Sequence, residues 1–288
     1  MKQNLHTHTV FCDGEDTPEA FVKEAIARGF DSIGFSGHGY AFFDDEYCMS
    51  REGTKAYLDT LLSLRDQYRD QIKIYIGVEQ DYFSDPVSYQ WDFVIGSVHN
   101  LLVDGEIYAL DLGRELIEQT ASEHFGGDIY SLIAEYYKLD SRVVQVTGCD
   151  IIGHFDLITK YNEDCSLFDP HHPDYVEMWS RALDSIFTGA DVGSFWTGAQ
   201  RTGVSSFEAP IFEINTGAMT GGYRTVPYPS IDILRSVCAR GGRILFSSDS
   251  HKKESIENYF DVARDLALEA GFTEGTVLTD EGFVQIPL

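Results

Sequence analysis

Near its start the sequence has two histidines separated by one residue, His6-Thr7-His8, and Cys12-Asp13-Gly14 follows four positions later. Residues i and i+2 of a β-strand point to the same side, so both imidazoles can face one metal ion. Imidazole and carboxylate ligands together suit Zn, Mn or Fe. The pair alone is a modest signal, because two histidines at this spacing also occur on solvated strands.

Further candidate ligands end other apolar, β-rich segments. Segment 31–38 ends on His38, 72–79 on Glu79, 92–99 on His99, 150–154 on His154, and 243–251 on Asp249 and His251. In a barrel of parallel strands, the carboxyl ends converge on one face, where active sites are built. Six strand ends therefore direct nine candidate ligands to one place.

Each of these residues also has a structural interpretation. A histidine after an apolar run is usually a hydrogen-bonded loop residue, Glu79 could be a salt-bridged or capping carboxylate, and 249–251 could be a turn before a helix cap. Coincidence explains the whole set poorly. The pattern favours a site for two to three divalent transition-metal ions, Zn, Mn or Fe. The other three histidines follow no strand and are left out.

The alternation of strands with helices predicts an α/β barrel, with residues 1–288 as one domain. Helices are predicted at 17–29, 175–187 and 230–240 from proline near the start, glycine after the end or apolar residues on one face. The segment 188–206 is interpreted as a loop that forms a rim or a lid rather than a domain boundary.

Charge and cysteine content restrict the partners and the compartment. A formal net charge of −26 argues against nucleic acid and anionic membranes as partners, since both require a basic face. The five cysteines are odd in number and form no CxxC pair, which is typical of a reduced cytosolic chain. Strand alternation favours a structural role for Cys12 over a ligand role. No segment resembles a signal peptide or a membrane span, so we expect a cytoplasmic protein of open oligomeric state.

In this order along the chain, the nine candidate ligands closely resemble the motif set of the polymerase-and-histidinol-phosphatase (PHP) family. The chain length and the 213–216 strand resemble its histidinol-phosphatase branch, and the resemblance runs from Met1 to about His251. It implies an irregular (β/α)7 TIM-like barrel with a metal site at the carboxyl-terminal ends of its strands. It also implies hydrolysis of L-histidinol phosphate, a step of histidine biosynthesis.

The family pattern implies three sets of metal ligands. The first set is His6, His8, Glu79 and Asp249; the second is Glu79, His99 and His154; the third is Asp13, His38 and His251. Glu79 would bridge the first two metals, as a carboxylate can between cations about 4 Å apart. Many family members carry histidine where Asp13 stands, which leaves the occupancy of the third position open.

The metals would activate water and neutralise phosphoryl charge during an in-line displacement. Asp249 and His251 are the catalytic candidates for protonating the leaving alkoxide, unless both are ligands. Arg224, in a glycine-rich loop after a strand, is the predicted phosphate contact, as the branch resemblance also suggests, although a solvated loop arginine fits the spacing equally well. Lys252 and Lys253 are alternative phosphate contacts.

The expected partner is a small phosphorylated substrate. Histidinol phosphate has a phosphate dianion at one end and cationic groups at the other, so we expect acids at the cavity mouth, with Asp81 and Asp156 as candidates. One alternative is a PHP phosphoesterase acting on another small ester, a nucleotide or an oligonucleotide. Another is an amidohydrolase-type C–N hydrolase, which typically has lysine where Glu79 stands.

Overall fold

The computed structural model describes residues 1–189 and 209–288, so most of the predicted 188–206 loop lies outside the described residues. Within these ranges the strands are β1 (Gln3–Asn4), β2 (Ser32–Phe35), β3 (Lys73–Asp81), β4 (Phe93–Ser97), β5 (Asn100–Val103), β6 (Glu106–Ala109), β7 (Ile151–Ile152), β8 (Ile211–Asn215), β9 (Arg243–Ser247), β10 (Glu274–Thr279) and β11 (Gly282–Pro287). The α-helices are α1 (Pro18–Ala27), α2 (Arg51–Gln67), α3 (Arg114–His124), α4 (Ile129–Asp140), α5 (Val143–Thr147), α6 (Pro173–Thr188), α7 (Gly217–Thr220), α8 (Ile231–Ala239) and α9 (Phe260–Ala270). None of the helices in the described ranges is long and apolar enough to cross a membrane.

Seven of the described strands form one parallel sheet in the order β1-β2-β3-β4-β7-β8-β9. A parallel bridge between Thr7 and Ser250, just beyond β1 and β9, joins the two edges of this sheet. The His8 N–H donates to the Ser250 carbonyl at 2.8 Å. The sheet is therefore a nearly closed barrel with helices between its strands, which confirms the predicted (β/α)7 barrel.

The barrel interior is filled by alternate residues of the strands. In β4, Phe93 and Ile95 point inward and pack with Leu5 and Leu245, whereas Val94 packs in the outer layer against the helices. This alternation is the period of two that a strand imposes on its side chains. Because both faces are buried, these strands appear in the sequence as continuous apolar runs.

The three predicted helices are present. Thr17 caps α1, where its Oγ1 accepts the Ala20 N–H at 3.3 Å, and Pro18 occupies the first turn. Helix α6 begins two residues before the predicted start, because His172 caps it and its Nδ1 accepts the Asp174 N–H at 3.3 Å. Capping groups of this kind satisfy N–H groups that have no partner within the helix.

Two antiparallel hairpins were not predicted. Strands β5 and β6 pair directly after His99, across a turn at Asp104 and Gly105 whose φ angles are 53° and 88°; an Asp-Gly pair favours such a turn. Strands β10 and β11 form the C-terminal hairpin. The Gln3 side chain bonds the Leu278 backbone N–H and carbonyl at 2.8 and 2.9 Å, which attaches this hairpin to β1.

Candidate metal centre

The nine predicted ligands converge at the carboxyl-terminal end of the barrel, and we call them the ligand cluster. They are His6, His8, Asp13, His38, Glu79, His99, His154, Asp249 and His251. Seven of them border a cavity of about 880 Å³, while His6 and His8 are fully buried. The strands position them as predicted, since each lies near or just beyond the carboxyl end of a barrel strand apart from Asp13, which lies in the loop after β1.

Glu79 lies at the centre of the ligand cluster and is 1% exposed. Its Oε2 is 3.1 Å from His6 Nε2 and 3.2 Å from His38 Nδ1. His8 Nε2 lies 3.4 Å from the same oxygen. One carboxylate oxygen therefore faces three imidazoles.

The other Glu79 oxygen faces a different pair of histidines. Oε1 is 3.1 Å from His154 Nε2 and 3.5 Å from His99 Nε2. It also accepts the Ser97 hydroxyl at 2.6 Å, which fixes the orientation of the carboxylate. Glu79 thus has the placement of a carboxylate shared between two metal positions.

A second carboxylate, Asp13, is surrounded in the same way. Its Oδ2 lies 3.0 Å from His251 Nε2 and 3.6 Å from His38 Nε2, and its Oδ1 lies 3.3 Å from His8 Nδ1. The ligand atoms of these four residues all lie within 4.8 Å of one another. The Cys12 Sγ is 3.6 Å from His8 Nδ1, so Cys12 borders this group.

Asp249 faces the two histidines of the first strand. Its Oδ1 is 3.1 Å from His8 Nε2 and 3.4 Å from His6 Nε2, while its Oδ2 accepts the Asn215 amide at 3.2 Å. The backbone of Asp249 has a φ of 49°, in the left-handed region that non-glycine residues rarely adopt. Such backbone strain is typical of functional sites.

Two histidines face more than one of the three implied ligand sets. His8 directs Nε2 toward Glu79 and Asp249 and Nδ1 toward Asp13. His38 directs Nδ1 toward Glu79 and Nε2 toward Asp13. The assignment of each histidine to one metal therefore stays a prediction.

The electrostatics reflect this close packing of carboxylates and imidazoles. Burial opposes a charge on His6, but Asp249, Glu213 and Glu79 raise the pKa of His6 well above its usual value. Burial also opposes a charge on His99, yet Glu79 and Asp81 raise the pKa of His99 to about 10. Burial works against ionised Glu79, but His6, His38 and His99 hold its pKa well below the usual range. The buried carboxylates of the ligand cluster therefore favour positive charge among the imidazoles that surround them.

Two observations show that the ligand cluster fits metal ions. His99 Nε2 and His154 Nε2 lie 3.1 Å apart and both face Glu79 Oε1; one proton can bridge two of these atoms, whereas one cation can bind all three. His8 Nε2 is buried and makes no hydrogen bond with the described residues, although Asp249 Oδ1 is 3.1 Å away. These nitrogen and oxygen donors suit several divalent ions such as Zn, Mn or Fe.

A buried carboxylate that the sequence did not identify as a site residue supports the ligand cluster. Glu213, in β8, lies 2.8 Å from His6 Nδ1 and accepts the His154 backbone N–H at 2.6 Å. The sequence signals are a carboxylate between Phe212 and Ile214 and the position of Glu213 at the start of the 213–216 strand that carries the branch resemblance.

Arg224, the predicted phosphate contact, packs against Tyr228. Its guanidinium carbon is 4.9 Å from the centre of that ring, and its Nη1 donates to Thr159 Oγ1. Tyr228 borders the cavity, so Arg224 contacts a residue of the cavity wall. The contact of Arg224 with phosphate stays a prediction. The alternatives Lys252 and Lys253 pair with Glu15 and Asp16 at 2.9 and 2.8 Å.

The two predicted mouth acids are both buried, although Asp81 does border the cavity. Asp81 is 5% exposed, and its Oδ2 accepts the His99 backbone N–H at 2.8 Å and lies 3.2 Å from His99 Nδ1. Asp156 is fully buried and accepts the Ser230 N–H at 3.0 Å. The sequence shows that both acids follow strand ends. It does not show that their side chains accept hydrogen bonds from backbone N–H groups of other elements.

Other residues give the cavity wall the expected acidic character. Asp44, Asp111 and Glu254 border it, as do Tyr47, Tyr161 and Tyr223. Lys160 also borders the cavity and donates to the Asp111 carbonyl at 2.9 Å. The cavity therefore combines the ligand cluster with a wall of carboxylates and aromatic rings.

Comparisons with known proteins agree with this arrangement. The profile of the PHP domain family matches residues 4–188. The Schizosaccharomyces pombe protein named "Probable histidinol-phosphatase" is 27% identical over 294 residues, which cover 95% of this chain and 88% of that protein. Histidinol-phosphatase from Bacillus subtilis is 28% identical over 184 residues, or 56% of this chain and 68% of that protein.

One solved structure has the same fold over nearly the whole chain. The crystal structure of histidinol phosphate phosphatase from Lactococcus lactis, complexed with zinc, L-histidinol and phosphate, matches with a TM-score of 0.65. The sequence identity is 22%, and the match covers 98% of each chain. The barrel architecture is thus shared at a low level of sequence identity.

Proposed function

Because the chain belongs to the PHP domain family, we propose that it is a metal-dependent phosphomonoesterase that hydrolyses L-histidinol phosphate to L-histidinol and phosphate. The observation that carries this proposal is the Glu79 carboxylate, which faces five imidazoles beside a cavity of about 880 Å³. The curated relatives named for this activity and the ligand-bound Lactococcus lactis structure support the substrate. The cytoplasm is the proposed compartment, in keeping with five free cysteines.

The ligand cluster would hold the ions in the three sets implied by the family pattern. Ions held there supply Lewis acidity toward the phosphoryl group and activate water at neutral pH. Glu79 would connect the first two sets through its two oxygens, and Asp13 would belong to the third with His38 and His251. The protein does not need a nucleophilic side chain for this reaction.

The leaving alkoxide needs a proton, and the two candidate donors differ in their surroundings. Despite its burial, His6 and His8 hold the pKa of Asp249 well below the usual range, so Asp249 remains a carboxylate. His251 is 38% exposed beside the cavity, with Nε2 facing Asp13 and Nδ1 facing the Asp249 carbonyl at 2.9 Å. His251 is therefore the better candidate for the proton donor, and its other possible role is that of a metal ligand.

The cavity wall suits the cationic end of histidinol phosphate. Phosphate would lie at the ligand cluster, while the ammonium and imidazole groups would face Asp44 and Asp111. Asp44 Oδ1 accepts the backbone N–H groups of Glu46 and Tyr47 at 3.1 and 3.0 Å, which fixes the position of its charge. Charges of opposite sign at the two ends of a site select substrates that carry the complementary polarity.

The proposal is tested by metal analysis of the purified protein together with phosphate release from a panel of esters. We expect two to three transition-metal ions per chain, loss of activity on chelation, and a higher kcat/KM for histidinol phosphate than for neutral monoesters of similar size. Much faster cleavage of nucleotides or oligonucleotides would refute the substrate and leave the metal site intact. Amide hydrolysis without phosphate release would refute the reaction class.

A further inference from the structure

Glu213 has its acceptor capacity filled by four groups and is completely buried. Its Oε2 lies 2.8 Å from His6 Nδ1 and accepts the Ser247 hydroxyl at 2.7 Å. Its Oε1 accepts the His154 backbone N–H at 2.6 Å and the Asn215 amide at 2.8 Å. A carboxylate offers about four lone-pair sites, and here each site has a partner.

This arrangement determines which nitrogen of His6 carries the proton. The ionised carboxylate can only accept, so His6 Nδ1 must donate to it. The lone pair of neutral His6 is then on Nε2, which faces Glu79 Oε2 at 3.1 Å and Asp249 Oδ1 at 3.4 Å. The tautomer that Glu213 selects is the one that can bind a metal ion between these carboxylates.

The same carboxylate also reaches two other predicted ligands. Through the His154 N–H it fixes the backbone at the end of β7. Through Asn215 it is linked to Asp249, since the Asn215 amide also donates to Asp249 Oδ2 at 3.2 Å. The side-chain oxygen Oδ1 of Asn215 accepts the Gly217 N–H at 2.8 Å, which assigns the orientation of the side-chain amide. Ligands from β1, β7 and β9 therefore share one support on β8.

We propose that Glu213 is a positioning residue that sets the metal affinity of the ligand cluster by fixing the His6 tautomer and aligning His154 and Asp249. The inference rests on the metal site of the proposed function and not on its substrate. Partners of this kind in metalloproteins typically change metal affinity by about 10- to 100-fold when they are removed.

The test is Glu213→Gln in the full-length protein. The glutamine amide can donate to His6 Nδ1, which would move the imidazole proton to Nε2 and block that nitrogen. We expect zinc affinity, measured by competition with a chromophoric chelator, to fall by about 10- to 100-fold. The absorption spectrum of the cobalt-substituted protein should also change, a readout that a loss of stability alone would not alter.

Glu118→Gln is the matched control, because Glu118 lies on α3, is 49% exposed and pairs with Arg114 at 2.9 Å, outside the ligand cluster. It should keep wild-type zinc affinity and spectrum. If the Glu213→Gln protein is not folded, as judged by the absence of a cooperative unfolding transition, Ser247→Ala replaces it. This change removes the hydroxyl that donates to Glu213 and keeps the carboxylate. We expect about fivefold weaker zinc binding for Ser247→Ala.

A double variant separates an action through His6 from a general effect. If Glu213 acts through His6, Glu213→Gln should weaken zinc binding much less in a His6→Ala background than in the wild type. Additive losses, or wild-type zinc affinity in both Glu213→Gln and Ser247→Ala, would overturn the inference. A wild-type protein that binds zinc but does not hydrolyse histidinol phosphate would overturn only the proposed function.

Discussion

Substitution of Glu79 tests whether one carboxylate connects two metal positions. Its Oε2 is 3.1 Å from His6 Nε2, and its Oε1 is 3.1 Å from His154 Nε2. Glutamine retains the shape of the side chain and one carbonyl oxygen, but places an NH₂ group on the other side. One metal position would then keep an oxygen ligand, while the other would meet a hydrogen-bond donor. Alanine removes both oxygens.

The expected losses are therefore graded. Glu79→Gln should lose about one metal equivalent, and Glu79→Ala should lose more than one, since alanine deprives both positions of a ligand. Removing even an outer partner of a ligand lowers affinity or activity by about 10- to 100-fold. A directly facing oxygen should contribute at least the upper value, so kcat/KM should fall by about 100-fold or more, equivalent to about 2.7 kcal/mol of transition-state stabilisation.

The assay combines metal content by plasma mass spectrometry with phosphate release from histidinol phosphate. Glu118→Gln makes the same chemical change outside the ligand cluster and should keep wild-type values. Thermal unfolding of each metal-free variant checks that the fold is retained. Unchanged metal content and turnover in Glu79→Ala would show that Glu79 is not a shared ligand.

Four further predictions concern other parts of the site. Asp13→Ala should lower activity while the two metals beside Glu79 stay bound, as metal analysis can show; simultaneous loss of all metals would indicate a cooperative cluster or a role in folding. Arg224→Ala should raise KM by a similar factor for every phosphomonoester, because the arginine would contact the phosphate that they share. Lower thermal stability with unchanged KM would show instead that Arg224 only packs on Tyr228. Asp44→Asn keeps an acceptor for the loop N–H groups and removes the charge, so KM should rise about two- to fivefold for histidinol phosphate but not for a neutral monoester. In the chelated protein, folding raises the pKa of His99 to about 10, so protonated His99 stabilises the folded state. This contribution is complete below about pH 6.5 and is lost as the pH rises toward 10. The melting temperature of the chelated protein should therefore fall over this range, and that of the metal-loaded protein should not.

The elements that were predicted correctly have local signals. Strand β3 is an apolar run that ends near Glu79, and both features lie within nine residues. Helix α1 has its cap, proline and final glycine within the predicted 17–29 segment. A buried parallel strand needs a continuous apolar run, and a helix end needs a capping group, so both can be recognised without knowledge of distant residues.

The features that were not predicted depend on contacts between distant parts of the chain. Glu213 meets His6 across 207 positions, and nothing beside either residue indicates this contact. Asp81 and Asp156 follow strand ends in the same way as the predicted ligands, yet both turn inward to backbone N–H groups. Sequence position gave the correct end of the barrel for these acids, but the direction of each side chain is set by donors on other elements.

Asp249 shows how such distant contacts can support an unfavourable local conformation. Its φ of 49° is a conformation that costs a non-glycine residue about 1 kcal/mol or more, and the sequence alone gives no sign of it. The structure holds it between His8 on one side and Asn215 on the other. Gly217 permits this approach, because a Cβ at that position would lie 2.8 Å from the Asp249 Cβ. The strained backbone is thus retained because contacts with His8, Asn215 and Gly217 hold the Asp249 carboxylate toward the rest of the ligand cluster. At this position the geometry of the site outweighs the local backbone preference.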